Sequence, residues 1–141
     1  MLRTFDRDGV TFQYPGNWVL DADDTGDGWT VTLSSPETAF VLVSLRPDAD
    51  GPVQVAEEAL AALRGEYPEL EAEQVVDSLG GQPAVGHDID FLTVDTATVA
   101  WTRCVDTLAG PLLVLCQTSE FDRERHEPVL RAVCASVRVE E

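Results

Sequence analysis

Basic residues are scarce in this sequence. Nine of them stand against twenty-six aspartates and glutamates in 141 residues, a formal charge of −17. Nucleic-acid recognition begins with a basic patch that releases counterions, so a duplex or a single strand would be repelled. An anionic membrane surface is disfavoured for the same reason. Cysteine is scarce too. Cys104, Cys116 and Cys134 are odd in number and lack Cys-x-x-Cys spacing, which favours reduced thiols in a cytoplasm over a disulfide framework. No apolar run approaches the roughly 18–20 residues that a membrane span needs. Met1 to Asp6 leads directly into strand-like sequence, without the apolar stretch and cleavage site of a secretory leader. The expected location is therefore cytoplasmic. Gly-x-Ser-x-Gly and His-Glu-x-x-His are both missing, and Gly80-Gly81 is followed by neither Lys-Ser/Thr nor a helix, so no phosphate cradle is expected.

What is present is ordinary globular composition, with 44% hydrophobic and 25% charged residues. The length fits one domain over residues 1–141, able to bury roughly two thirds of its unfolded surface without a covalent staple. The acidity has two readings: a solubility or proteome trait, or a surface for a basic partner or a metal cation.

Hydrophobic periodicity gives the elements. Val10 to Tyr14 alternates as a half-buried strand, Pro15-Gly16-Asn17 is a turn, and Trp18 to Leu20 is extended again. Asp21 to Gly28 reads as an acidic loop. Trp29, Val31 and Leu33 form one face of the next strand. Phe40 to Leu45 is apolar on both faces, which places it centrally in a sheet. Val53, Ala56, Leu60, Leu63 and Tyr67 then fall on one helical stripe, opened by Pro52 and closed by Pro68. Glu73 to Asp77 is a strand, and Gly80 to Pro83 a turn. Val85, His87, Ile89 and Phe91 share a strand face, as do Ala97, Val99, Trp101 and Val105. Leu112 to Cys116 is a second strand apolar on both faces, and these last three strands should form an antiparallel meander. A final helical stripe joins Val129, Leu130, Val133, Cys134 and Val137, with Pro128 in its first turn after a polar lead-in from Asp122 to Glu127. The fold class expected is α+β: a twisted, mostly antiparallel sheet with helices on both faces, an α/β/α sandwich.

The order of these elements and three short phrases resemble the PsbP-like superfamily. The phrases are Gly9-Val10-Thr11-Phe12-Gln13-Tyr14-Pro15-Gly16-Asn17-Trp18, the turn Gly80-Gly81-Gln82-Pro83-Ala84, and a last helix closing on Ala135-Ser136-Val137. That superfamily also holds Ran-binding nuclear-import factors, DcrB-type bacterial proteins and small secretion chaperones. The resemblance covers most of the chain. It implies an α/β/α sandwich and a non-enzymatic, partner-binding role, and it carries no functional residue across.

Candidate chemistry is thin. Asp21, Asp23 and Asp27 lie in a segment that matches the opening of a calcium loop, but Thr32 occupies the twelfth position, where a bidentate Glu belongs. A solvated hairpin loop is the competing reading, and Asp48 to Gly51 matches less well still. His87 shares its strand with Asp88 and Asp90, yet alternation puts both carboxylates on the opposite face, so they cannot orient it. His126, between Arg125 and Glu127, is expected to face solvent. Cys104 and Cys116 are expected near one another across the meander, with Arg103 on the face opposite to Cys104. Cys134 is expected to pack as a small hydrophobe. Trp18, Trp29 and Trp101 take core positions. Catalytic residues, bound metal and cofactor are therefore expected to be none. The leading reading is a protein-binding or chaperone-like module whose acidic surface meets a basic or amphipathic protein partner, with no nucleic acid and no membrane insertion. The alternatives are a small-molecule binder or weak enzyme, using a pocket between sheet and helix with His87 or Cys104 at its edge, and a structural homodimer.

Overall fold

The computed structural model describes residues 1–140. The chain runs β1 (Leu2–Arg7), β2 (Val10–Pro15), β3 (Val19–Thr25), β4 (Gly28–Ser34), β5 (Phe40–Leu45), α1 (Pro52–Glu66), β6 (Glu71–Leu79), β7 (Gln82–Thr93), β8 (Thr96–Thr107), β9 (Gly110–Ser119), α2 (Arg123–Ser136) and β10 (Arg138–Val139). Seven strands form one sheet in the order β3-β4-β5-β9-β8-β7-β6, and β1, β2 and β10 form another in the order β1-β2-β10. Every neighbouring pair is antiparallel. The two runs that read as apolar on both faces, β5 and β9, pair with each other near the middle of the large sheet. There both faces are covered, and β9 is buried along nearly all its length.

Strand register divides the side chains between the two faces. Val85, His87, Ile89 and Phe91 of β7 share a face with Ala100, Thr102 and Cys104 of β8 and Leu113 of β9. Helix α1 lies on that face through Val55, Ala56 and Leu60. The opposite face carries Trp29, Val31, Leu33, Val41, Val43, Trp101, Val114 and Cys116, and it packs against Leu130, Val133 and Val137 of α2 and its C-cap. The expected α+β class with a helix on each face is thus what the protein adopts.

The small sheet was not legible in the sequence. It lies beside α2 and adds Val10, Phe12 and Tyr14 to the same core. Phe5 stacks on Phe12 at 4.9 Å and tilts against Trp29 at 5.2 Å between ring centroids. Trp18, Trp29 and Trp101 are all buried, Trp29 and Trp101 at inward strand positions and Trp18 in the bend that precedes β3 rather than in a strand.

Three local readings need correction. The segment Asp21 to Gly28 is strand rather than loop: β3 pairs with β4 until Thr25 meets Gly28, leaving Gly26-Asp27 as a two-residue turn with Gly26 at φ +64°. Gly28 itself admits no side chain, since a Cβ there would lie 2.1 Å from the Leu45 carbonyl oxygen. The buried stripe of α1 begins at Val55, whereas Val53, in the first turn, stays exposed. Helix α2 begins at Arg123, so Pro128 lies inside it and the polar lead-in is helical. Starting the helix earlier turns His126 inward, where it is buried rather than solvent-facing.

Candidate functional site: an acid-rimmed apolar cleft

A concavity with an apolar floor lies where α1 meets β6. The helix ends as Tyr67 donates its N–H to the Leu63 carbonyl (2.8 Å), and Pro68 prevents continuation. Leu70 then donates back to Tyr67 (3.0 Å), so the four-residue connection folds as a turn over the end of β7. Tyr67 is thereby laid on Phe91, with ring centroids 4.5 Å apart and planes at 30°. Tyr67, Leu70 and Phe91, joined by Leu92 and Ala97, make the apolar part of a cleft of about 550 Å³. Volumes of this order accommodate one or two large side chains or a small ligand. Leu92, Val94 and Phe121 are exposed at this same end of the sheet, which extends the apolar surface outward.

Carboxylates ring the cleft: Glu66, Glu69, Glu71, Asp90 and Glu120. Glu120 pairs with Arg123 at 3.5 Å, while the other four have no ion-pair partner among the described residues. Acidic groups around a low-dielectric concavity focus a negative potential into it. The floor attracts apolar groups and the rim attracts cations. Alternation gives Phe91 as a core residue, but the turn that brings Tyr67 and Leu70 over it is a tertiary event without a sequence signature.

The residues singled out in the sequence lie elsewhere. His87 and Cys104 sit on the sheet face beneath α1, and neither lines the cleft. His87 is buried, with Nδ1 unpartnered and Nε2 3.9 Å from Glu57 Oε1 of α1. Asp88 and Asp90 point away from it, as alternation requires. Burial pushes the Cys104 thiol up to about 12, against the opposing pull of Arg46 and Arg103. At neutral pH it is fully protonated and a poor nucleophile. Arg103 does lie on the opposite face. Its buried guanidinium spans Asp77 (3.1 Å) and Asp88 (3.0 Å) and donates to the Thr102 carbonyl (2.7 Å).

Cys104 and Cys116 are not neighbours. Cys104 pairs with Leu113 and Cys116 with Trp101, positions of opposite parity, so the two thiols project from opposite faces of the sheet. The thiol beside Cys116 is that of Cys134, with 3.4 Å between the sulfurs.

The calcium candidates do not converge. Asp21 and Asp23 extend along β3 and Asp27 sits in the turn. Among the described residues the ligand atoms that do gather, within 4.8 Å, belong to Glu37, Asp122 and His126. His126 Nε2 lies 3.4 Å from Glu37 Oε1 and makes no hydrogen bond. Arg125 already bridges Glu37 (2.7 Å) and Asp122 (2.8 Å), so a protein cation occupies this cluster. A hydrogen bond from Thr38, with Arg125 and Ser119 assisting, holds the Asp122 carboxyl below its ordinary value.

No protein-family model matches the chain, and no curated protein does either. Solved structures do. A Pseudomonas aeruginosa protein of unknown function, described as a candidate regulator, superposes with a TM-score of 0.61 at 13% identity, over 99% of this chain and 98% of that one. The cyanobacterial PsbP (CyanoP) of Synechocystis superposes with a TM-score of 0.61 at 18% identity, over 99% and 92% of the two chains. LpqN, involved in cell envelope biogenesis of Mycobacterium tuberculosis, gives 0.56 at 11% identity over 100% and 91%. The chain therefore shares the PsbP-like fold that its sequence phrases resemble. None of these three descriptions names a catalytic activity.

The same comparisons overturn the cytoplasmic expectation. The fold is shared with LpqN, described as involved in cell envelope biogenesis, and with cyanobacterial PsbP, so it gives a cytoplasmic assignment no support. All three cysteines are free thiols, but the cysteine argument for a cytoplasm is weakened, because the fold brings two of them into contact despite their distance in sequence. No helix among the described residues is long and apolar enough to cross a membrane.

Proposed function

Starting from a fold shared with PsbP-like proteins, we propose that the chain is a non-enzymatic protein-binding module whose Tyr67–Phe91 cleft receives a basic, amphipathic segment of a partner protein. The observation that carries this reading is the pairing of an apolar floor with four rim carboxylates that have no ion-pair partner of their own. An apolar side chain of the segment fills the floor, and flanking Lys or Arg residues meet Glu66, Glu69, Glu71 and Asp90. Shielding such a segment is a chaperone-like role. The small-molecule alternative rested on His87 or Cys104 at the edge of a pocket, and neither residue lines this cleft. A homodimer through an edge strand is opposed by charge. The edges β3 and β6 carry Asp21, Asp23 and Asp24, and Glu71, Glu73 and Asp77, which would face one another across a new pairing.

The test is fluorescence anisotropy with a labelled amphipathic helical peptide of Leu and Lys at low and moderate salt. Reversing Glu69 and Glu71 to Lys removes two attractions and adds two repulsions. At about 0.5 kcal/mol per exposed contact, affinity should fall roughly 5- to 30-fold and the salt dependence should weaken. Reversing Asp21 and Asp23 on the distant edge is the control, and it should leave affinity within about twofold. Equal losses in both double variants, or affinity indifferent to salt, would refute binding at this cleft.

A further inference from the structure

Cys116 and Cys134 form a site that the proposed binding role does not use. Cys116 comes from β9 and is fully buried, whereas Cys134 comes from the last turn of α2 and is only partly covered. Their sulfurs are 3.4 Å apart. Cys134 also lines an open cleft between the end of α2 and the β6–β7 turn, with Leu79, Gly81, Arg131 and Arg138. Gly80 and Gly81 fold that turn with positive φ, and a Cβ on Gly80 would meet the Val137 carbonyl oxygen at 2.5 Å. The turn is therefore held against the end of α2 with no side chain to close the cleft. Arg131 lies over the Trp101 ring at 4.3 Å, so a guanidinium stands beside Cys134.

These surroundings treat the two thiols differently. The Cys116 thiol favours the Cys134 thiolate most, with the Trp101 indole, Arg131 and Arg103 adding to it, so Cys134 falls below its ordinary value despite burial. Burial and its partner push Cys116 well up. Cys134 is the more readily ionised and the more accessible of the two, and Cys116 is a thiol held within reach of it. Cys104 is excluded, because it projects from the other sheet face.

We propose that Cys134 is an oxidative modification site that reacts with small hydroperoxides, and that Cys116 resolves the product to an intramolecular disulfide. The Cys134 thiolate attacks one peroxide oxygen, and the O–O bond breaks. The departing hydroxide or alkoxide takes up a proton, leaving a sulfenic acid on Cys134. The Cys116 sulfur then attacks the Cys134 sulfur while its proton goes to the leaving hydroxyl, which departs as water. Two thiols lose two electrons, and the peroxide gains them. The cross-link ties α2 to the central strand β9.

The experiment treats the fully reduced chain with a slight excess of hydrogen peroxide, then maps disulfides by mass spectrometry after alkylation in urea. Free thiols should fall from three to one, with the bond between Cys116 and Cys134 and with Cys104 alkylated. Cys116→Ala should instead accumulate a sulfenic acid at Cys134 that dimedone traps. A bond that includes Cys104, a cross-link between chains, or three intact thiols in the folded wild type would overturn the proposal. The wild-type map decides the matter even if the variant folds poorly.

Discussion

Replacing Cys104 by valine should flatten the alkaline limb of the stability curve. The thiol is buried against Val55, Ala56 and Leu113, and desolvation pushes it from 9.0 to about 12, the two arginines offsetting only part of the burial. In the unfolded chain the same thiol loses its proton near its ordinary value. Because the folded value is the higher one, its contribution is complete below about pH 9 and drains away as pH rises towards 12. At 1.36 kcal/mol per unit, that window amounts to about 4 kcal/mol, of which about 2 kcal/mol is gone by roughly pH 10.5. Valine nearly matches cysteine in volume and carries no proton. Urea melts of both proteins under reducing conditions, at about pH 8 and about pH 10.5, isolate the effect, since the other titrating groups are common to both. The stability difference between wild type and Cys104→Val should shift by about 2 kcal/mol in favour of the variant at the higher pH. Parallel losses in the two proteins would refute the burial of this thiol.

Other consequences follow from the packing. Leu60→Asp places a carboxylate where α1 meets the sheet, and loss of the buried side chain plus desolvation of the charge should cost at least about 3 kcal/mol. An unfolding free energy from denaturant melts lowered by only a few tenths of a kcal/mol would contradict the docking of α1. The Asp77–Arg103–Asp88 cluster should respond asymmetrically, because the guanidinium is buried while both carboxylates are half exposed. Arg103→Met should change stability by about 1 kcal/mol or less, whereas Asp77→Ala with Asp88→Ala, which strands the buried charge, should cost about 3 kcal/mol in urea melts.

Sequence periodicity reaches as far as burial follows it. The strand faces of β4, β7 and β8 and the central places of β5 and β9 were readable because alternation or its absence reports directly on cover. The small sheet escaped notice because β1 is exposed along nearly its whole length and β10 is two residues long, so neither has an apolar pattern. The start of α2 was hidden by Arg123, Glu124, Arg125 and Glu127, whose one inward neighbour is His126. Contacts between distant segments left no trace. The approach of Glu57 to His87, the two-thiol pair and the stacking of Tyr67 on Phe91 all join residues from different elements. The candidate cleft was legible only through its parts: a helix end marked by Pro68, an inward Phe91 and an excess of acids whose positions around a common floor only the fold supplies.

The central claim is that the acid-rimmed cleft is the binding surface, and hydrogen–deuterium exchange with the Leu/Lys peptide tests it most directly. Added peptide should slow amide exchange in residues 66–71 and 90–92 and leave the β3–β4 hairpin unchanged. Protection confined to other segments, or spread evenly over the acidic surface, would contradict the account.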